Sequence, residues 1–189
     1  MAMLSRNAIE AMGFKSIGDN VQISDRASLY GVSRITLDND IRIDDFCVIS
    51  AGVGGIRIGS NVHIAVGASL IGGGTITLCD FVGISSRVSI YSSNDDYSGL
   101  YMTGPTLPAQ FINVRHADVF VDKHVIVGSG SVILPGVILE EGVAVGALSL
   151  VSQKCDAFGI YAGNPLRRIR ERKRNLLDLE RLFKASKKK

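Results

Sequence analysis

The most regular feature of the chain is a large aliphatic residue at every sixth position between residues 121 and 151. The residues that keep this spacing are Val121, Val127, Ile133, Leu139, Val145 and Val151. An amphipathic helix repeats its apolar positions about every 3.6 residues, and a half-buried strand repeats them every two. A period of six fits neither element, so the pattern indicates a different repeating unit.

The same spacing runs through earlier parts of the chain in groups of three aliphatic residues. The earlier groups are Ile17, Ile23 and Leu29; Leu37, Ile43 and Ile49; Ile58, Ile64 and Leu70; and Leu78, Ile84 and Ile90. Short repeats of this kind are typical of a solenoid, in which each unit buries its apolar face by stacking on its neighbours. We therefore predict a mainly β fold, a parallel β-helix of about six triangular coils with three short strands in each.

Smaller residues stand four positions after many of these aliphatics, and we expect them to point inward as well. They include Val21, Ala27, Val62, Ala68, Ser131, Val137, Val143 and Ser149. The residue just before them is often Asn or Gly, two types that tolerate a positive φ. We expect positive φ at the coil corners formed by Asn20, Asn61, Gly67, Gly130, Gly136 and Gly142.

Extra residues enter the repeat at one recurring point, between the third aliphatic of one coil and the first of the next. The largest such insertion spans residues 91–117. Loops longer than about 15 residues in a compact domain are usually functional or disordered. Because its tyrosines, Leu100 and Met102 suit a packed lid, we interpret this segment as a functional loop; a merely tolerated insertion is the alternative.

The two ends of the stack need covers, because exposed strand edges invite pairing with other chains. Residues 1–16 predict a short helical lid with Ser5 as its N-cap and Gly13 as its end. Residues 17–164 form the β-helix. Residues 165–189 predict a C-terminal helix, with Asn164 as N-cap and Pro165 as its first residue.

Charge is concentrated at the C-terminal end. The whole chain has a net charge of +3, but residues 165–189 hold eleven Lys and Arg against three acidic residues. No aromatic residue is interleaved with the basic run "RRIRERKR", so we do not expect nucleic acid as a partner. The sequence contains no apolar stretch long enough to span a bilayer and no signal peptide. With three cysteines and no CxxC pair, we expect a cytoplasmic protein.

The units "IGSNVH", "VGSGSV" and "VGALSL" resemble those of the hexapeptide-repeat acyltransferases. The stretch from "HVIVGSGSVILPGVILEEGVAVGALSLVSQK" to "GIYAGNPLRRIRER" is similar to the C-terminal signature of their galactoside, maltose and polysaccharide O-acetyltransferase branch. The resemblance implies a left-handed β-helix, a homotrimer, and acetyl-CoA bound in a groove between subunits. It also implies acetyl transfer to a hydroxyl or amine of a sugar, either a glycan precursor or a nucleotide-linked sugar.

The resemblance implies a catalytic histidine where the chain leaves the coil, but this sequence has Asp95 there. A positioned base contributes about 10²–10⁴-fold to such a reaction, and a carboxylate serves if a dry site raises its pKa. An Asx turn is the alternative role for Asp95. His116, where the loop rejoins the coil, is a second candidate base. The deprotonated amine of an amino sugar is already a good nucleophile and needs less help from a base. The absence of the histidine is therefore also consistent with N-acetylation.

Three further residues are candidates for binding the acceptor: Asn94, Tyr97 and His63. His63 lies where the galactoside and maltose enzymes also carry histidine; a hydrogen-bonded structural histidine is the alternative. We expect His124 to lie on a solvated corner. Cys47 and Cys155 occupy small inward positions, so we expect both thiols to be buried and inert. Direct transfer, without an acyl-cysteine, is therefore the predicted route.

The resemblance also implies a set of residues for the donor. These residues are Gly128, Ser131, Gly146, Ala147, Ser152, Gln153, Lys154, Arg167 and Arg170. The small residues would lie along the pantetheine arm, and the arginines would face phosphate, which suits the guanidinium group. A solvated helix face is the alternative reading of the arginines.

Two other functions are open at this stage. One is a non-catalytic trimeric scaffold. The other is a β-helix carbonic anhydrase with zinc held by histidines, but with only three histidines in the chain and a strained spacing, we expect no metal.

Overall fold

The computed structural model describes residues 2–187 as a three-sided parallel β-solenoid with a helix near each end. The first face contains β1 (Ser16–Ile17), β4 (Ile35–Leu37), β7 (Ile56–Ile58), β10 (Ile76–Leu78), β15 (Val119–Val121) and β18 (Ile138–Leu139). The second face contains β2 (Val21–Ile23), β5 (Ile41–Ile43), β8 (His63–Ile64), β11 (Gly83–Ile84), β16 (Ile126–Val127), β19 (Ala144–Val145) and β21 (Gly159–Ala162).

The third face contains β3 (Ser28–Tyr30), β6 (Val48–Ala51), β9 (Ser69–Gly72), β12 (Ser89–Tyr91), β17 (Val132–Ile133) and β20 (Leu150–Val151). Together the three faces make six complete coils. A partial seventh coil follows, because Cys155 forms a bridge with Leu139 and β21 pairs with β19. The solenoid and the number of complete coils confirm the prediction; the left-handed sense of winding stays a prediction.

The repeating aliphatics form columns inside the prism. Ile43, Ile64 and Ile84 lie in register on the second face, and each is at most 1% exposed. Only the first coil departs from full burial, where Ile17 and Leu29 are half-buried but still pack against the core. Burial of an aliphatic side chain contributes about 1.5–3 kcal/mol, so these columns are the main stabilising element of the fold.

All six corners expected to have positive φ do have it, from φ 52° at Asn20 to φ 84° at Gly136. Residues that are neither Asn nor Gly take the same conformation at equivalent corners, such as Phe81 (φ 61°), His124 (φ 60°) and Leu148 (φ 56°). The N–H of each bonds back to the preceding coil, as from His124 to the Asp80 carbonyl at 3.2 Å. The stacking of the coils thus imposes the conformation even where the residue type disfavours it.

The N-terminal cover agrees with its prediction. Helix α1 (Arg6–Ala11) begins after Ser5, whose Oγ accepts a hydrogen bond from the N–H of Ala8 at 3.2 Å. Ile9 is 1% exposed, so the helix closes the open end of the core, and Gly13 follows it with φ 77°.

The predicted C-terminal helix is wrong over its first ten residues. Asn164 and Pro165 do not begin a helix; strand β22 (Arg167–Glu171) instead turns back and pairs antiparallel with β21. Helix α2 begins only at Asn175 and ends at Ser186. The edge of β21 would otherwise be left open, and pairing with residues 167–171 satisfies its backbone groups. The predicted range of the helix extends to residues 188 and 189, which lie outside the described residues.

Candidate functional site

The 91–117 loop leaves the solenoid at the predicted corner and is closed by a short stalk. Strand β13 (Ser93–Asn94) pairs antiparallel with β14 (Arg115–His116), and Ser93 lies opposite His116. Ser93 Oγ is 2.7 Å from Nδ1 of His116 and accepts a hydrogen bond from the N–H of Gly73 at 2.5 Å. The two residues therefore fasten the loop to the coil beneath it.

Three consecutive glycines, Gly72 to Gly74, form the surface on which the stalk rests. A Cβ at Gly73 would lie 2.6 Å from the His116 ring, and one at Gly74 would lie 2.9 Å from the backbone of Ala117. At Gly72 it would collide with Ser92, whose hydroxyl donates to the Gly74 carbonyl at 2.8 Å. The loop lies this close to the coil because these positions have no side chain.

Asp95 follows the stalk directly, and the structure leaves its carboxylate exposed and without a hydrogen-bond partner among residues 2–187. The Asx turn that was its alternative role is formed by the next residue. Asp96 accepts hydrogen bonds from Ser98 and from the N–H groups of Gly99 and Tyr101. The hydrogen bond from Ser98, helped by the backbone N–H groups, lowers the pKa of Asp96. Asp95 is thus left free to meet a bound molecule.

The expectation of a packed lid does not hold within one chain. Tyr97 is 86% exposed and Leu100 is 83% exposed, and Asn94 is exposed at the end of β13. Within residues 2–187 of one chain, these two apolar side chains therefore remain largely uncovered.

His63 lies on the second face, in register with Arg42 of the coil below. Its Nε2 is 2.8 Å from Oδ2 of Asp44, whose Oδ1 accepts a hydrogen bond from Nε of Arg42 at 2.7 Å. Partial burial acts to raise the pKa of Asp44, but the hydrogen bonds from Arg42 and His63 outweigh it and lower that pKa below its usual value. An ionised carboxylate therefore orients the half-exposed imidazole.

This histidine opens onto a groove of about 330 Å³ that crosses the third, fourth and fifth coils. The groove is lined by His63, Ala65, Gly83, Ile84, Ser85, Ser86, Ile126 and Ser129. The sequence reasoning missed Asp44 and the serines. The offset of one coil between Asp44 and His63 was the signal that could have linked those two, because the repeat sets them on adjacent coils.

A second groove of about 540 Å³ continues toward the C-terminal coils and shares Ser86 and Ser129 with the first. Gly130, Ala147 and Leu148 line its far part. Of the residues predicted to line the donor path, Ala147 is therefore placed on an open groove.

Ser131 is a correction to the predicted donor set. It is fully buried, donates a hydrogen bond to the Gly146 carbonyl at 2.9 Å and accepts one from the N–H of Ser149. Its place in the repeat is the small inward position, so the side chain lies inside the prism, away from the surface.

Two of the predicted glycines are needed for coil stacking. A Cβ at Gly128 would lie 2.5 Å from the backbone nitrogen of Ala147, and one at Gly146 would lie 3.0 Å from Cβ of Ala162. The close approach of the neighbouring coil is therefore sufficient to explain why both positions are glycine, whether or not they contact a ligand.

The remaining predicted donor residues lie at the C-terminal end and are exposed. Ser152, Gln153 and Lys154 follow β20, and Lys154 Nζ is 2.6 Å from Oε1 of Glu140. Arg167 and Arg170 lie on β22 rather than on a helix. The two grooves run from the third coil to the sixth, and the basic strand lies farther along the stack, next to β21 of the partial seventh coil.

The prediction of a solvated His124 is wrong. Its side chain is 9% exposed and stacks on Phe81, with 4.9 Å between ring centroids. Helix α2 covers it, and Nε2 is 2.6 Å from Oε2 of Glu180. The apolar stripe of the helix indicated that the helix packs against another part of the protein. The sequence did not show that this part would be the corner at His124.

The three thiols are unpaired, and Cys47 and Cys155 are buried as predicted. Burial raises the pKa of both. Within residues 2–187, no cluster of three or more His, Cys, Asp or Glu side chains could hold a metal ion. No helix in the same range is long and apolar enough to cross a bilayer.

Known proteins resemble this chain from end to end, although no protein-family model matches it. The dTDP-4-amino-4,6-dideoxy-D-glucose acyltransferase of Escherichia coli is 54% identical over 186 residues, which cover 98% of this chain and 97% of that protein. AntD, an N-acyltransferase from Bacillus cereus solved with dTDP and 3-hydroxybutyryl-CoA, is 43% identical with a TM-score of 0.94 and covers 99% of this chain and 98% of its own.

A galactoside acetyltransferase in complex with coenzyme A shares the fold more distantly. It is 22% identical with a TM-score of 0.62, and the match covers 87% of this chain and 68% of that enzyme. At this level of identity the likeness concerns the solenoid alone.

Proposed function

Because the chain belongs to the dTDP-sugar N-acyltransferases, a β-solenoid family that uses acyl-CoA, we propose that it transfers an acetyl group from acetyl-CoA to the 4-amino group of dTDP-4-amino-4,6-dideoxyglucose. The observation that carries the proposal is the end-to-end identity of 54% to the acyltransferase of Escherichia coli. A structure of AntD with this amino sugar nucleotide and coenzyme A supports the same acceptor and donor class.

In the proposed reaction the amine nitrogen attacks the thioester carbonyl carbon. A C–N bond forms, the C–S bond breaks, the amine loses a proton and coenzyme A leaves as the thiol. A neutral amine is a good nucleophile, so the site has mainly to align it and to accept its proton. The free carboxylate of Asp95 is the group that we propose for this task, with Asn94 and Tyr97 beside it on the acceptor side.

The donor is proposed to lie along the two connected grooves. Its phosphates would meet Arg167 and Arg170 on β22, the strand that follows β21 at the end of the sheet, and its acyl end would reach Ser85 and His63. Five strand spacings of about 4.8 Å separate β8 from β22, or roughly 24 Å, a distance that an extended pantetheine arm with its attached phosphates can span.

We also propose that three chains associate, so that the loop of one subunit covers the groove of the next. The exposure of Tyr97 and Leu100 supports this arrangement, because both side chains are largely uncovered within residues 2–187 of a single chain. Light scattering should give three times the 20.2 kDa of one chain. Cytoplasmic location and a role in glycan synthesis stay predictions.

The function is tested by measuring thiol release from acetyl-CoA and from 3-hydroxybutyryl-CoA. The acceptors are dTDP-4-amino-4,6-dideoxyglucose and the matched dTDP sugar with a hydroxyl at C4. We expect release with the amine and acetyl-CoA only. Equal release with the hydroxyl sugar would contradict N-acylation, and a preference for 3-hydroxybutyryl-CoA would contradict the acetyl donor. Asp95→Asn should lower kcat by about 10²-fold or more.

A further inference from the structure

We infer that Ser93 and His116 are positioning residues that hold the stalk of the 91–117 loop, so that Asp95 is presented to the acceptor amine. The inference rests on the proposed function of Asp95 and gives His116 a role other than that of a base. It concerns two contacts that lie outside both grooves.

The stalk needs such a fastening because its backbone ladder is very short. Strands β13 and β14 pair through only two residue positions, Ser93 with His116 and Asn94 with Arg115. A pair of strands this small is marginal in water without side-chain support. The support comes from the Ser93 hydroxyl, which lies between the N–H of Gly73 at 2.5 Å and Nδ1 of His116 at 2.7 Å.

The same two side chains set the height of the loop above the coil. The His116 ring lies on Gly73, where a Cβ would be 2.6 Å from Cε1 of the ring. The backbone continues the contact, since the N–H of Ala117 donates to the Ser92 carbonyl at 3.0 Å. Asp95 is two residues from Ser93, so a shift of this stalk moves the carboxylate directly.

His116 is poorly arranged to be the base itself. Its Nδ1 is engaged by Ser93, and one side of its ring lies on Gly73. A proton would have to be taken by Nε2, whereas Asp95 carries a carboxylate with no competing partner among residues 2–187.

The test compares kcat and KM of Ser93→Ala, His116→Ala, His116→Gln and His116→Asn. An Asn side chain places a polar atom near the position of Nδ1, whereas Gln places one near Nε2. We expect Ala at either position, and Gln at 116, to lower kcat by about 10- to 100-fold, since misplacement by about 1 Å costs this much. Asn should restore most of the activity, and KM for acetyl-CoA should stay unchanged.

Two more variants use the same assay. Gly73→Ala should displace the ring and reproduce the loss of His116→Ala. The double variant Ser93→Ala/His116→Ala should be no worse than either single variant, because both changes break one contact. The pH profile of kcat/KM should keep its shape in His116→Ala, since a positioning residue does not titrate in the reaction.

Different outcomes distinguish a failure of the positioning role of Ser93 and His116 from a failure of the proposed function. Near-normal kcat in Ser93→Ala and His116→Ala, with an inactive Asp95→Asn, would overturn the inference and leave the proposed function intact. If His116→Asn is as inactive as His116→Ala and the pH profile loses its lower limb, His116 is itself the base and the inference fails. A fully active Asp95→Asn would overturn the inference and the proposed role of Asp95 as the base, whereas the absence of thiol release by the wild type with the amino sugar would overturn the proposed function itself.

Discussion

The position of Cys79 on the outer surface of a coil determines the pKa of its thiol. The residue follows inward-facing Leu78, and its thiol is half-buried beside Asp122 and Asp80. Partial burial, together with the charges of those two aspartates, raises the pKa of the thiol to about 11. Because the thiolate is the nucleophilic form, this cysteine is unreactive near neutral pH.

Cys79→Ser should therefore keep the acyltransferase activity of the wild type, because no acyl-cysteine forms. In the native wild type, iodoacetamide should modify Cys79 slowly at pH 8 and much faster in denaturant, where the pKa returns to its ordinary value. Mass spectrometry of the modified peptide measures both rates. Rapid native labelling, or loss of activity in Cys79→Ser, would contradict this account.

The sequence places individual side chains with uneven accuracy, for reasons visible at each position. Asp95 was singled out because the histidine of the resembled family falls there once the repeats are aligned, and its role in catalysis stays a prediction. The hydroxyl of Ser93 was missed, because its partners, Gly73 and His116, are brought to it only by the closing of a loop whose path no repeat describes. Ser131 was misplaced, although its inward position in the hexapeptide already indicated burial.

At the scale of elements, the C-terminal segment shows where a local pattern fails. Pro after Asn and a stripe of apolar residues favoured one helix from residue 165. The outcome was decided by the unpaired edge of β21, which binds residues 167–171 as a strand. Arg172 then bonds the carbonyls of His124 and Gly142, at 2.7 and 3.0 Å, and fixes the chain where it leaves the sheet. These partners lie far away in sequence, so no local spacing could reveal them.

Helix α2 is held on the solenoid by a cluster of charges around Glu180. Its carboxylate, 11% exposed, contacts Lys184 at 2.5 Å, His124 at 2.6 Å and Lys123 at 3.2 Å. The hydrogen bond from Lys184, followed by those from His124 and Lys123 against the cost of burial, lowers the pKa of Glu180 to about 2. The helix thus depends on an ionised group in a largely covered position.

Glu180→Gln should lower the free energy of unfolding at neutral pH by about 1.5–3 kcal/mol, the value of hydrogen bonds to a charged group. Since the folded-state pKa is depressed, the contribution of Glu180 is complete above pH 4.5 and is lost as the pH falls toward 2. Denaturation followed by circular dichroism from pH 7 to pH 3 measures the difference between wild type and variant. A difference that does not narrow below pH 4.5 would contradict the assignment.

For the molecule as a whole, the sequence predicted the solenoid well because one short period determines every coil. The aliphatic columns, the inward small residues and the corners all follow from that period. Assembly and the path of the long loop do not, since they depend on surfaces that meet without a repeating pattern. The closeness of the coils is the property of the whole stack that is most directly testable.

Gly59→Ala should destabilise the stack by about 1–3 kcal/mol, because its Cβ would lie 2.9 Å from the backbone of Asp80 on the next coil. Gly83→Ala is the matched control for stability. The nearest atom to its Cβ would be Cγ1 of Ile126 at an ordinary 3.8 Å, and it should change stability by less than about 0.5 kcal/mol. Equal melting temperatures for the two variants would contradict close stacking as the cause.

The corner between the third and first faces, where every enlarged connection leaves the prism, has an evolutionary consequence. A lineage can lengthen, shorten or exchange the segment that begins after Tyr91 without shifting the register of the coils on either side. Under the proposed function, in which this segment contacts the sugar and the grooves hold the donor, recognition of the sugar could then diversify quickly while the donor site is inherited almost unaltered. Relatives with the same prism and unlike insertions should therefore share a donor and differ in what they modify.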